Sequence, residues 1–401
     1  MSTVFTRKFR LRPHVGASIL LGIAIGFGSV GNAVAKPCPD GTVPSHATKK
    51  GSSKDLGCTS VTKQISAQGL VKLRDGRELL RDGEKWYPKG MTFFGRLIPA
   101  GFKSDSRTMY AQRNFGQKYM DALKWMGGDT VRLQIGMPFL DPESPQFNPS
   151  YIEEIASAVD LSRRNGMSVI LSMQWQERKN VQVAEKKMPG GSALRAWEVV
   201  APRFASDSGV MYELFNEPTT TPKPTREEWS IWQNGHQAIV DMIRNKGIHN
   251  VLIVEGPTMG KTLSTKYPIR DPLKQTAYGI HPRLRAYLNS PKEWDERFGN
   301  FAESHAVIAT EWGHGGITCR TANGELAGQF LKYLEEKNIG LIGWGMENKN
   351  SKLPQMLGNG QYKTSTFRGV DCRDRDAGPG EDMRALFQRK KNTSSEAAHA
   401  Q

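Results

Sequence analysis

Apolar residues recur along this chain in two alternating rhythms. Short, nearly continuous apolar runs such as Thr130–Ile135, Ser168–Met173 and Val251–Glu255 read as buried strands, while the stretches between them repeat every three to four residues, as helices do. In order, strands are predicted at Gly90–Gly95, Thr130–Ile135, Ser168–Met173, Val210–Phe215, Val251–Glu255, Ala277–His281, Ala306–Glu311 and Gly340–Trp344. Helices are predicted at Asp105–Met126, Tyr151–Arg164, Leu194–Phe204, Arg226–Asn245 and Glu325–Lys337, with a last one at Gly380–Gln388. The segment between the fifth and sixth strands is a weak helix. Ahead of the first strand, Gly69–Leu73 and Glu78–Leu80 flank Asp75-Gly76 and predict a hairpin, continued through Asp82-Gly83 and Trp86-Tyr87. Eight strands alternating with helices predict an α/β fold with parallel strands, a (β/α)8 TIM barrel.

The flanks have a different character. Arg7, Lys8, Arg10 and Arg12 precede an apolar run from about Val15 to Val30, and Ala33-Val34-Ala35 supplies small residues for cleavage. Residues 1–35 therefore read as a secretory signal peptide, implying a secreted or periplasmic protein with no stable membrane insertion once it is removed. Residues 36–66, rich in Gly, Ser, Thr and Lys, read as a flexible arm, residues 67–389 as the barrel domain, and the polar 390–401 as a disordered tail. All four cysteines fall in the exported part, which permits disulfides. Cys38 and Cys58 bracket the arm, whereas Cys319 and Cys372 follow the last two strands, neighbours on a closed barrel. Cys319–Cys372 is the favoured pair, although three pairings are formally open.

Charge narrows the partners. The formal charge of +15 becomes about +11 once the leader's four bases are gone. The bases are spread along the chain without the aromatic interleaving, helix-turn-helix or zinc pattern of a nucleic-acid binder, so no nucleic acid is expected. An anionic glycan or envelope polymer suits such a surface. No Cys-x-x-Cys or His/Cys cluster points to a metal, and no cofactor is implied. A monomer is expected.

Two strands end on carboxylates: Met211-Tyr212-Glu213-Leu214-Phe215-Asn216-Glu217-Pro218, and Ala306-Val307-Ile308-Ala309-Thr310-Glu311-Trp312. The ends of barrel strands carry active sites, and a pair of acids there is what glycoside hydrolysis requires. The Tyr212–Pro218 stretch resembles the Asn-Glu-Pro signature of glycoside hydrolase family 5, the cellulase-like retaining family. That resemblance covers residues 68–350 and implies a barrel closed at its bottom by the hairpin. It further implies Glu217 as acid/base and Glu311 as nucleophile. It also implies Arg132 holding the nucleophile ionised, Asn216 reaching the neighbouring sugar hydroxyl, His281 within reach of the site and Trp344 as a stacking platform.

The departures from the family concern the sugar contacts. Where the family carries Asp-x-His after the third strand, this chain has Ser172-Met173-Gln174 followed by Trp175. His-x-Tyr on the sixth strand becomes His281-Pro282-Arg283, so Tyr278 or Tyr287 would have to replace the missing phenol. The expected function is endo-acting hydrolysis of a β-linked polysaccharide, a β-1,4-glucan first, with β-mannan or another β-glucan next. Transglycosylation on the same fold and a non-catalytic glycan-binding envelope protein are the alternatives.

Overall fold

The computed structural model describes residues 42–44, 58–60, 69–282, 284, 290–312, 320–346, 355–356, 362–363 and 380–389. The leader, the side chains of Cys38, Cys58, Cys319 and Cys372, Arg283, Tyr287 and the tail from 390 lie outside the described residues. The chain divides into two units, 1–63 and 64–401. In the first, Thr42–Pro44 pairs antiparallel with Cys58–Ser60.

The second unit is a closed barrel of eight parallel strands. These are β1 (Lys89–Phe93), β2 (Thr130–Gly136), β3 (Ser168–Gln174), β4 (Val210–Glu213), β5 (Leu252–Glu255), β6 (Thr276–Ile280), β7 (Val307–Trp312) and β8 (Gly340–Gly343). The eight predicted strands are all found, with ends moved by a few residues. Helices α1 (Ser106–Asn114), α2 (Gln117–Met126), α3 (Tyr151–Arg164), α4 (Gly191–Phe204), α5 (Arg226–Asn245), α6 (Arg320–Glu336) and α7 (Gly380–Gln388) accompany them.

The long first helix predicted from Asp105 to Met126 is two helices. Phe115 leaves the helical region at ψ 130° and Gly116 is extended, and the Phe115 ring meets Phe93 edge-on at 6.0 Å. Between β5 and β6 the expected weak helix is a single turn, Pro257–Gly260, with Thr258, Met259 and Gly260 all at positive φ. The hairpin forms as predicted. Asp75 and Gly76 take positive φ, as do Asp82 and Gly83 in the two-residue turn that follows. Its apolar Val71, Leu73, Leu79 and Trp86 pack with the barrel-interior residues Ile170, Met211, Ile253, Ala277, Ile308 and Ile342, closing the bottom.

Strand alternation then separates that apolar floor from a polar upper layer. Two residues beyond Ile170 stands Ser172, beyond Met211 stands Glu213, and beyond Ile253 stands Glu255, each buried. Arg132 is registered between Thr92 and Ile170 on its two neighbouring strands. On β7 the pairing with β8 slips between Ala309 and Trp312, a bulge that re-aims Glu311 at the strand's end.

Candidate active site

Arg132 is the hub of the upper layer. Its guanidinium is fully buried and donates from Nε to Glu213 Oε2 at 2.7 Å, from Nη1 to Glu311 Oε2 at 3.3 Å, and from Nη2 to Asn216 Oδ1 at 2.7 Å and Ser172 Oγ at 2.9 Å. One cation thus ties the ends of β3, β4 and β7 to β2, with the planar fork that only arginine offers.

Glu217 follows β4 through Asn216 and sits at φ 51°, left-handed for a non-glycine residue that also precedes proline. A backbone in that region persists only where its surroundings hold it. Here its N–H donates to Glu255 Oε2 at 3.0 Å, and Asn216 N donates to Met173 O at 2.9 Å. Trp175 Nε1 donates to Asn216 O at 2.6 Å, and the Trp175 ring stacks on Phe215 at 6.0 Å. At the carboxylate, Gln176 Nε2 donates to Oε2 at 3.1 Å and His281 Nδ1 lies 3.3 Å from Oε1.

His281 ties the carboxylates together. Its Nδ1 also lies 3.4 Å from Glu255 Oε1 and 3.8 Å from Glu311 Oε2. Burial alone would push this imidazole down, yet Glu255, Glu311 and the bond to Glu217 outweigh it and raise it to about 9. Glu255, wholly buried, is pushed well above the ordinary carboxyl range by burial and by Glu213 and Glu217, against the pull of His281 and Arg132. One oxygen each of Glu217 and Glu311 and a ring nitrogen of His281 lie within 4.8 Å of one another, and Glu213, Glu255 and His281 form a second such group. Either triad has donor atoms close enough for a metal ion, but Arg132 and His281 already face these carboxylates with positive charge.

The remaining candidates divide. Gln174 is buried at the end of β3 and donates to Ser172 Oγ at 3.0 Å, so it braces the Arg132 network. Trp344 directly follows β8 but is only 7% exposed, with Phe94 5.0 Å away and the Arg107 guanidinium 5.5 Å over its ring. Tyr278 is not brought to the site. It lies three positions before the inward His281, so it points the other way and packs edge-on against Phe301 at 4.7 Å. Two contributors went unread in the sequence. Glu255 closes an apolar run on a glutamate just as Glu311 does, which was a usable signal; Gln176 lies beyond its strand, where alternation gives no direction.

Four carboxyl groups, one arginine and one histidine thus gather at the C-terminal mouth of a parallel barrel, where enzymes of this fold carry their active sites. The chain matches the family described as cellulase (glycosyl hydrolase family 5) over residues 99–350, well over half its length, and it belongs to that family. It is 24% identical over 292 residues to endoglucanase C of Evansella cellulosilytica, covering 64% of this chain and 34% of that one. To a cellulase of a Thermoanaerobacterium species it is 26% identical over 223 residues, 51% of this chain and 54% of that protein. The chain thus spans between about a third and about half of these curated relatives. Among solved structures it resembles a β-glucanase of Saccharophagus degradans in complex with cellotetraose, at TM-score 0.59 and 20% identity over 81% of this chain and 94% of the other. It also resembles a β-mannanase of Thermomonospora fusca in complex with mannohexaose, at TM-score 0.50 and 18% identity over 70% and 84%. Among the described residues no helix is long and apolar enough to cross a membrane.

Proposed function

We propose that this chain is an exported, retaining, endo-acting hydrolase of a β-linked polysaccharide, with a β-1,4-glucan as first substrate. The observation that carries this reading is the approach of Glu217 and Glu311, one oxygen of each within 4.8 Å. Retaining enzymes hold their two carboxyl groups about 5 to 5.5 Å apart, whereas inverting enzymes leave room for a water between them.

In the first step Glu311 attacks the anomeric carbon while Glu217 gives its proton to the departing glycosidic oxygen. The C–O bond to the leaving sugar breaks as the bond to Glu311 forms. In the second step Glu217, now a carboxylate, takes a proton from water; the oxygen of that water displaces Glu311 and the sugar leaves with retained configuration. Arg132 donates to Glu311 and so favours its charged form, and it anchors Asn216 through Oδ1; in this reading the Asn216 amide nitrogen serves the sugar hydroxyl beside the reacting carbon.

β-Mannan is the second reading, favoured by the likeness to the mannanase barrel. Release of reducing ends by the mature protein from β-glucans, mannans and acidic glycans, beside Glu217→Gln and Glu311→Gln, tests both. Activity on one polymer that both substitutions abolish supports the pair and names the substrate. Turnover that survives both substitutions removes it.

A further inference from the structure

The family's two-carboxylate chemistry leaves Glu255 without a role, yet it is held directly against Glu217. It closes β5 with no solvent exposure. Its Oε2 accepts the backbone N–H of Glu217 at 3.0 Å, and its Oε1 faces His281 Nδ1 at 3.4 Å. Glu213 Oε1 and Glu255 Oε1 are both buried without a hydrogen-bond partner among the described residues. Gly260 arches over Glu255, and a Cβ there would collide with Oε1.

The charges around this carboxyl favour its neutral form. The groups facing it are Glu213 and Glu217 on and beyond β4, Arg132 on β2 and His281 beyond β6, with Glu311 on β7 across the imidazole. That is four carboxyls against two cations, with Glu213, Glu255, Arg132 and His281 all buried; Arg178, which also acts on Glu311, is paired with Asp105 at 4.0 Å. Arg132 is engaged by Glu213 and Glu311. With His281 charged, two carboxylates are balanced and two are not, and an unbalanced buried charge is so costly that the group takes up a proton instead. One of the two neutral carboxyls is the acid that the proposed reaction requires at Glu217.

We propose that Glu255 is the other: a permanently protonated carboxylic acid that positions Glu217 rather than reacting. Its carbonyl oxygen holds the strained main chain of the acid/base residue, and its neutrality keeps a third negative charge away from Glu217 while Glu217 alternates between acid and carboxylate. The direction of the shift at Glu255, upward through burial, agrees with this.

This assignment builds on the reading of Glu217 as acid/base, so the deciding measurement needs no substrate. Infrared difference spectra of the mature protein against Glu255→Gln at neutral pH should contain a protonated-carboxyl C=O stretch lost in the variant. Absence of that band overturns the neutral state. Turnover then tests the positioning role. In Glu255→Gln, which keeps a carbonyl oxygen and adds no charge, the alkaline limb of the kcat profile should move by less than about half a pH unit. In Glu255→Ala the N–H of Glu217 loses its acceptor, and kcat should fall about tenfold or more below that of Glu255→Gln with KM little changed. A displacement of the Glu255→Gln limb by a full pH unit, or wild-type kcat in Glu255→Ala, overturns the proposal. If no glycan is turned over at all, the infrared band still decides the state of Glu255.

Discussion

Arg132 and Glu213 form an ion pair in which neither side chain touches solvent, with Nε 2.7 Å from Oε2. Both stand in the polar layer directly above the apolar floor of the barrel. Such a pair gives little net stability when intact, because desolvation offsets attraction, but breaking it leaves a buried charge alone. Arg132→Met should therefore cost about 3 to 5 kcal/mol in denaturant unfolding. Arg132→Lys, which keeps the charge but not the fork, should cost less and still lose activity, since one ammonium cannot serve Glu213, Glu311 and Asn216 together. Equal stability for Arg132→Met and the wild type would deny the pair any structural role.

Much of this arrangement was legible in the sequence. Two apolar runs leading to glutamates gave Glu217 and Glu311, and Arg132, a lone charge within an apolar strand, came with the family resemblance. Period-two alternation, carried back from His281, would have turned Tyr278 outward. The break at Phe115-Gly116 was hidden because apolar spacing continues across it, while the packing of Phe115 on Phe93 depends on a strand some twenty residues away. The grip of Gln176 on Glu217 is a loop contact and follows from no periodicity.

The roles of Glu217 and Glu311 can be separated by leaving group. A phenol of low pKa departs without help, so on a dinitrophenyl β-glycoside Glu217→Gln should form the glycosyl-enzyme quickly and then stall, because no base activates the water. A burst of phenol followed by slow turnover is expected. Glu311→Gln lacks the nucleophile and should give no burst. A burst in Glu311→Gln, or none in Glu217→Gln, would reverse or remove the assignment.

Acid stability should depend on a residue outside the carboxyl cluster. His236 on α5 is fully buried, with Nδ1 2.8 Å from Trp232 O and Nε2 lacking a partner among the described residues. Burial lowers it from 6.5 to about 4. The folded state therefore keeps this ring neutral where the unfolded chain already binds a proton, so the contribution is intact above pH 6.5 and drains away as pH falls toward 4. The loss amounts to about 3 kcal/mol over that window. His236→Leu should flatten the acid limb of the unfolding free energy between those limits. An unchanged slope would mean that His236 does not titrate there.

Gly260 links the turn after β5 to the carboxyl cluster. It takes φ +73°, a region that side chains adopt only at a cost, and an added Cβ would stand 2.8 Å from His281 N as well as colliding with Glu255 Oε1. The turn cannot retreat, since His281 N donates to Gly260 O at 2.7 Å and Met259 N donates to Pro218 O at 2.8 Å. Backbone strain of about 1 to 3 kcal/mol is expected for Gly260→Ala, together with displacement of Glu255 and His281 from Glu217. Activity should then fall by more than the loss of folded protein explains, most clearly in kcat, because the displaced groups hold Glu217, the proposed acid/base residue, rather than the sugar chain. Measuring kcat on the folded fraction, with Gly83→Ala as a comparison, separates the two effects. Gly83 shares a positive φ of 89° but has nothing within 4 Å of its would-be Cβ. Equal behaviour of the two variants would reduce Gly260 to a turn residue, whereas a kcat defect confined to Gly260→Ala would tie the turn to the chemistry through Glu255.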